Sequence, residues 1–473
     1  MAATKQTVGA TPATAPQDGH SAPHLVRALS LWNLIIIGLV IVQPTAPMGI
    51  YGVISNKAHG HVVSTILLAM IAMLLTAISY GRMARAYPSA GSAYTYVGQE
   101  IHPALGYITG WSMVMDYILN PLICTAFCAK ASMNIVSGLP FYVWIVIFAG
   151  FFTWANLRGI KTSARINETL CVGMVIVVAI FLAAVVQYVW RLHHYGPGFF
   201  THPFYNPQTF RASGLFAGTS VAVLTYIGFD GISTLSEEAE NPRRNILLAT
   251  VWVCLITGVL SALEVYAAQL VWGAKLFPLE QVESAFAMIS RRVGGVILFQ
   301  LINATLLVAN IGSAMGAQLA AGRLLYGMGR GNALPKSFFG KIDPKSKIPR
   351  NNILAVGVFA LLGAGILQLF AKQLGGGAFE IGAQALNFGA FIAFMGVNAA
   401  SFVRYWLHAE KRTASNLLVP VFGFLICGFI WLNLSRTAMI LGSIWMGLGI
   451  AYGAIKTRGF RGNLVNFDIP AED

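Results

Sequence analysis

Twelve runs of about 20 mostly apolar residues, parted by short polar or Gly/Pro-rich stretches, leave this chain few ways to fold. About 20 helical residues at ~1.5 Å each cross about 30 Å of hydrocarbon. The sequence therefore reads as an all-α membrane protein with 12 transmembrane helices. The runs lie at 31–53, 61–80, 104–136, 140–157, 167–190, 213–239, 246–272, 294–327, 352–371, 380–405, 416–434 and 436–455. Composition agrees: 56% of residues are hydrophobic and 10% charged, against about 25% charged in soluble domains. Residues 1–24, with no apolar core, read as a disordered cytoplasmic tail, 25–456 as the membrane domain, and 457–473 as a second cytoplasmic tail.

A net charge of +14 could point to nucleic acid, but the basic residues sit in short loops between apolar runs. With the N-terminus inside, 22 of the 31 Lys and Arg fall on the cytoplasmic side, eight outside, and Lys130 within the third run. That bias is the positive-inside rule, and it places both termini in the cytoplasm of a multi-pass inner-membrane protein. No nucleic-acid partner is needed to explain the charge. The five cysteines all lie in apolar runs without disulfide or zinc-ligand spacing, so neither a metal nor a cofactor is expected.

Two runs are interrupted where lipid forbids it. In the sixth, Tyr226-Ile-Gly-Phe-Asp230 places a glycine and an acid in mid-membrane; in the first, Gln43, Pro44, Thr45, Pro47 and Gly49 break the helix. Unpaired backbone groups survive in hydrocarbon only where they line a cavity or hold a ligand. The breaks lie five runs apart, the spacing of an inverted repeat of five plus five helices with two extra helices after it. A proline kink in the first run and a packing glycine in the sixth are the competing readings.

Several segments together resemble the amino acid-polyamine-organocation superfamily of transporters, which share the leucine-transporter-like fold. They are the stretch from Tyr80 to Tyr96, Asn156-Leu-Arg-Gly-Ile-Lys161, the stretch from Tyr226 to Asn245, and the stretch from Ala321 to Pro335. Within it, Trp111 to Pro121, Leu235-Ser-Glu-Glu238 and Asn387-Phe-Gly-Ala390 are similar to the putrescine-importer branch. The resemblance spans about residues 28–456 and implies a transporter domain with helices 1–5 and 6–10 as inverted repeats and 11–12 as accessories. Two departures stand out. The lysine of some proton-coupled members is absent from Cys171-Val-Gly-Met174, and Glu264 in the seventh run is unexpected.

The expected substrate site draws on both breaks: Gln43, Pro44, Thr45, Ala46 and Pro47 from the first, and Tyr226, Ile227, Gly228 and Phe229 from the sixth. Asp116 lies about 20 Å up the third helix, near mid-depth, where a carboxylate costs about 2.5–3.5 kcal/mol. The resemblance places this position beside the substrate, so Asp116 is the expected partner of an ammonium group, with Tyr117 shaping the pocket. Lys130, about four turns away, is too far to pair with it. Asp230 is the expected proton-coupling acid, with helix capping as its structural alternative. Glu264, in the outer third of its helix, reads either as a second proton site or as an interfacial carboxylate facing headgroups. Glu237, Glu238, Glu240, Arg243 and Arg244 read as an inner gate, with Arg82 or Arg85, or as a solvated loop.

The chain thus reads as a secondary active importer of a small amine or amino acid, a polyamine such as putrescine foremost, coupled to protons and not an enzyme. Sodium stays open as the coupling ion, because Asn310, Ser313 and Gln318 offer oxygens. Alternatives are a neutral amino acid permease or exchanger and, from another class, a substrate-gated channel or nutrient receptor.

Overall fold

Hydrocarbon cannot hydrogen-bond to a backbone, so each apolar run has to close its own N–H and C=O groups, and helices do so. The computed structural model describes residues 28–135, 138–158, 160–192, 195–370 and 378–457. The expected tails lie outside these residues, Thr457 apart, as does the Gly375-Gly376-Gly377 connector. The helices are α1 (Leu31–Val42), α2 (Ala46–Lys57), α3 (Val62–Ala86), α4 (Ala93–Glu100), α5 (Pro103–Ile135), α6 (Phe141–Leu157), α7 (Ile160–Trp190) and α8 (Ala212–Ala222). They continue with α9 (Pro242–Trp272), α10 (Ala285–Arg330), α11 (Lys336–Phe339), α12 (Arg350–Phe370), α13 (Ala378–Phe402), α14 (Ala414–Leu432) and α15 (Arg436–Lys456). Among the described residues there is no strand, only an isolated bridge between Leu29 and Ala239.

Among the described residues ten spans are long and apolar enough to cross a membrane, and α1 with α2, bent by 43°, make an eleventh if counted as one; α6 is apolar but has 17 residues. Within α10, Gly295 leaves helical geometry at φ +67°, so Ala285 to Gly294 forms a separate segment before the long span. Exposed apolar side chains such as Ile297, Leu432 and Ile455 would be a liability in water and match a lipid surround.

The sixth run departs from a simple pair of half-helices. After α8 the chain runs through 3₁₀ turns at Val223–Thr225 and Phe229–Leu235, joined through Gly228. Ser233, Thr234 and Ser236 donate their hydroxyls to the carbonyls three residues back, at 2.5–2.7 Å, which suits the tighter winding. Seven residues of 3₁₀ helix is long for this geometry, and such stretches mark hinges.

Glycines set the depth of the parts around this break. Gly382, Gly389 and Gly396, spaced by seven, lay α13 against Ile123, Ser112 and Thr109 of α5; a Cβ on Gly389 would stand 2.4 Å from the Ser112 carbonyl. Gly81 and Gly258 bring α3 and α9 together in the same way, against Leu247 and Met70. Helices α14 and α15 bury only a few side chains each and lie at the edge of the bundle.

Candidate functional site

The two breaks touch. Gly228 lies at φ +117°, in the left-handed region, and a Cβ there would come within 2.7 Å of Ile41 Cγ2, in the last turn of α1. Gln43, at φ +65°, ends α1 and returns its N–H to Leu39 O; Ala46 N–H then bonds Gln43 O at 2.9 Å and α2 starts. Thr45 is buried, its hydroxyl 3.9 Å from Met174 Sδ, while Gln43 and Ala46 stay partly accessible. Pro44 and Pro47 are buried and add no donor needing a partner.

Asp230 organises the sixth-run break. Its Oδ1 accepts the Gly228 N–H at 3.2 Å and its Oδ2 accepts the Tyr117 hydroxyl at 2.6 Å, tying the break to α5. Asp116, the residue before Tyr117, is buried and within electrostatic reach of Asp230, yet its Oδ2 has no partner among the described residues. One acid is thus engaged and its neighbour is free. A buried carboxylate is costly without a donor, so this oxygen calls for a proton or a bound cation.

Tyr226, Ile227 and Phe229 of the break are buried. The Tyr226 hydroxyl donates to Ile66 O at 2.9 Å, and the Phe229 ring meets Tyr80 at 5.7 Å and Phe394 at 5.3 Å. Sequence reasoning missed Tyr80, whose buried hydroxyl has no partner among the described residues and which interacts with both acids. It also missed Asn387, two residues before Gly389, buried with both amide atoms unpartnered there. Asn120, one turn above Asp116, accepts from Ser313, which also donates to Ile41 O at 2.8 Å. Only an unsatisfied polar atom distinguishes Tyr80 and Asn387 from ordinary core residues, and a sequence does not display that.

Glu264 is not part of this cluster. Asp230 acts on Cys254, and ten residues of α9, about 15 Å, separate Cys254 from Glu264. Nor does Glu264 face headgroups: its side chain is fully buried, with neither oxygen partnered among the described residues. The interfacial reading fails because this face of α9 turns into the bundle.

After the break, Glu237 and Glu238 are likewise buried, whereas Glu240, Arg243 and Arg244 of the same cluster are exposed. Glu238 pairs with Arg323, and Glu237 with Arg330 at 2.6 Å and with the Ala90 N–H at 3.0 Å. The Glu238 carbonyl accepts from Ala28 and Leu29, tying the chain before α1 to the end of the break. The partners differ from the expected Arg82, which instead binds Ser415. Lys130 is exposed on α5, clear of Asp116.

The model of the amino acid permease family matches residues 33–461. The chain belongs to that family. The permease is 33% identical over 457 residues to the low-affinity putrescine importer PlaP of Escherichia coli (strain K12), covering 95% of this chain and 97% of the relative. It is 25% identical to the branched-chain amino acid permease BcaP of Lactococcus lactis (90% and 94% covered). Identity to the methylthioribose transporter of Bacillus subtilis is 24% (90% and 92% covered). With its spans, this makes the permease a multi-pass membrane transporter.

Proposed function

We propose that this permease imports a small organic cation, a diamine such as putrescine, by proton-coupled alternating access. The observation that carries the reading is the free Oδ2 of Asp116, buried at mid-depth beside an Asp230 already held by Tyr117 and Gly228. An ammonium group supplies both the charge and the donors that Asp116 lacks. The partly accessible face of Gln43 and Ala46, with Thr45, Pro44 and Pro47, and the Tyr226–Phe229 stretch close around it. Asp230 exchanges the coupling proton. Losing its charge weakens its hold on Gly228 and Tyr117, which loosens the 3₁₀ hinge. The similarity to a putrescine importer favours this cargo.

The fold goes with it: twelve spans, with α6 the shortest, in an inverted repeat of five plus five and α14 and α15 as accessories. The Glu237/Arg330 end faces the cytoplasm of a cell whose inner membrane holds the protein, both tails included. In that orientation the Glu238–Arg323 and Glu237–Arg330 pairs shut the inner side.

A second reading, a permease for a neutral amino acid, draws on the start of α2 at Ala46. There helix N–H groups and the dipole suit a carboxylate. Uptake of labelled putrescine and an amino acid panel into proteoliposomes, with pH and sodium gradients imposed separately, decides between them. Putrescine accumulating under a pH gradient, and a roughly hundredfold loss in Asp116→Asn, is the expected result. Accumulation of neutral amino acids alone, unchanged by Asp116→Asn, overturns it.

A further inference from the structure

Four buried oxygens without partners among the described residues lie in a row on one face of α9: Thr257 Oγ1, Ser261 Oγ and both oxygens of Glu264. All three residues are fully buried. Their spacing of four and then three residues stacks them on one stripe about 10 Å long. Neither the substrate site nor the inner ion pairs use any of them.

The ends of the stripe matter. Gly38 of α1 sits beside Val253, and both helices leave the end of the bundle where Leu29 bridges Ala239. In that register Gln43 is level with Gly258, so the first-run break lies alongside Thr257 and Ser261. One turn further in, Cys254 interacts with Asp230. At the other end, Gln269 lies about 8 Å further along α9 but about 140° around it from Glu264, on another face. It lines a cavity of about 90 Å³ with His59, Gly60, His202 and Asn206.

The surroundings offer Glu264 no counter-charge. Of the elements packed on α9, α1 has no titratable residue; Tyr51 of α2 is bonded to Gln269, and Tyr226 to Ile66 O. His61, at the start of α3, is buried but bonded to Ala58 O and to the Asn206 N–H; Tyr80 of α3 and Asp230 belong to the site below; Cys171 lies on the inner half of α7 and Tyr188 on its outer half, bonded to Arg292; Lys57 of α2 and Arg291 and Arg292 of α10 are exposed. Among the described residues no donor or cation lies within bonding distance of the Glu264 carboxylate. A metal cation is a poor fit, since ligands strung along about 10 Å of one helix cannot surround an ion that needs about six oxygens. Water fits: each molecule needs about two to four polar partners, and the stripe supplies them in sequence.

We propose that the Thr257–Ser261–Glu264 face of α9 is a water-lined proton path, with Glu264 its relay acid, running through the outer half of the bundle towards Asp230. The carboxyl of Glu264 gives its proton to a water held by Ser261 and takes another from water on its outer side. Each of the two transfers breaks one O–H bond and forms one, and in sum a single positive charge moves inward. This rests on the proton-coupled reading of the Asp116/Asp230 site and adds the route by which the proton arrives.

The test is made on the full chain in proteoliposomes, with two readouts: putrescine accumulation under an imposed pH gradient, and one-for-one exchange of labelled for unlabelled putrescine at equal pH. Glu264→Gln is expected to lower accumulation roughly a hundredfold, since the amide relays no proton, and to keep exchange near the wild-type rate. Glu264→Asp, which retains the carboxyl, restores most of the accumulation. Thr257→Val with Ser261→Ala lowers the accumulation rate about tenfold by stripping the waters of partners. Accumulation by Glu264→Gln equal to wild type overturns the path and leaves the substrate site standing. Loss of exchange along with accumulation, unrelieved by Glu264→Asp, also overturns it, by making the residue structural. A wild type that exchanges putrescine but accumulates none under a pH gradient overturns the coupling reading, and the path falls with it.

Discussion

Gln43 and Gly228 both stand at positive φ, +65° and +117°, the first ending α1 and the second opening the 3₁₀ helix, and they meet at Ile41, but different chemistry holds each break. In the first run, proline does the work. Pro44 and Pro47 remove two donors that hydrocarbon would penalise, and α2 restarts within a few residues. In the sixth run the stretch from Val223 to Leu235 has no proline. Its freed groups are met instead by the Asp230 carboxylate and by the hydroxyls of Ser233, Thr234 and Ser236. A break made by proline is indifferent to protonation, whereas one held by a carboxylate depends on charge. The first run is therefore the frame of the site and the sixth its conditional part.

The comparison breaks most readily at Gly228. Gly228→Ala forces a side chain into left-handed geometry, at about 1–3 kcal/mol, and sets a Cβ 2.7 Å from Ile41 Cγ2, which overpacking raises by about 1–3 kcal/mol more. Putrescine uptake should be lost and the melting temperature in detergent should fall. Gly231→Ala is the control: its Cβ would find nothing nearer than Ile41 Cδ1 at 3.6 Å, and uptake should persist. Full transport by Gly228→Ala would mean that the hinge does not need this conformation.

Next in size is Asp230→Asn. The amide oxygen still accepts the Gly228 N–H, but both bonds lose their charge assistance, at about 1.5–3 kcal/mol for the stronger one. Thermal stability should fall modestly while pH-driven accumulation is lost. A variant that keeps its gradient-driven uptake would move proton exchange away from the sixth run.

Much of this is legible in the sequence. Apolar runs mark the helices, because a membrane allows few alternatives, and Gly228 and Pro44 mark the breaks, because glycine and proline are the residues that tolerate them. Asp116 is legible as a costly acid at mid-depth. Side-chain pairing is not. Asp230 could be placed near the break but not bonded to Tyr117, since that contact joins residues 113 apart in sequence. Glu264 could be given a depth but not a face: rotation of α9 about its axis depends on neighbours such as Met70 against Gly258. The 3₁₀ winding after Gly228 also escaped the sequence, where Phe229 to Leu235 reads as readily as the start of an α-helix.

Tyr117→Phe sharpens the comparison on a smaller scale. It removes the single hydroxyl that ties Asp230 to α5 and should cost about 1.5–3 kcal/mol, the range for a hydrogen bond to a charged group. The ring remains, so packing is preserved and uptake should slow rather than vanish. Because Asp116 is untouched, the apparent affinity for putrescine should change less than the maximal rate. An affinity loss equal to that of Asp116→Asn would place Tyr117 against the cargo instead.

The smallest effect belongs to the first run. Pro47 lies in the opening turn of α2, where a helix leaves its N–H groups without internal partners, so Pro47→Ala adds one donor in a buried place. That donor has an acceptor within the local geometry. Thr45 is the N-cap and its hydroxyl makes no capping bond; it donates only to Met174 Sδ at 3.9 Å, which leaves its oxygen to accept the new N–H. The lost rigidity of proline costs about 0.4–1 kcal/mol through the unfolded chain, and the new cap offsets part of it. Uptake and melting temperature should both stay close to wild type. If Pro47→Ala proves more damaging than Tyr117→Phe, the assignment of frame and conditional part is reversed: the first run would then depend on its exact backbone, and the carboxylate at the sixth would be the more forgiving support.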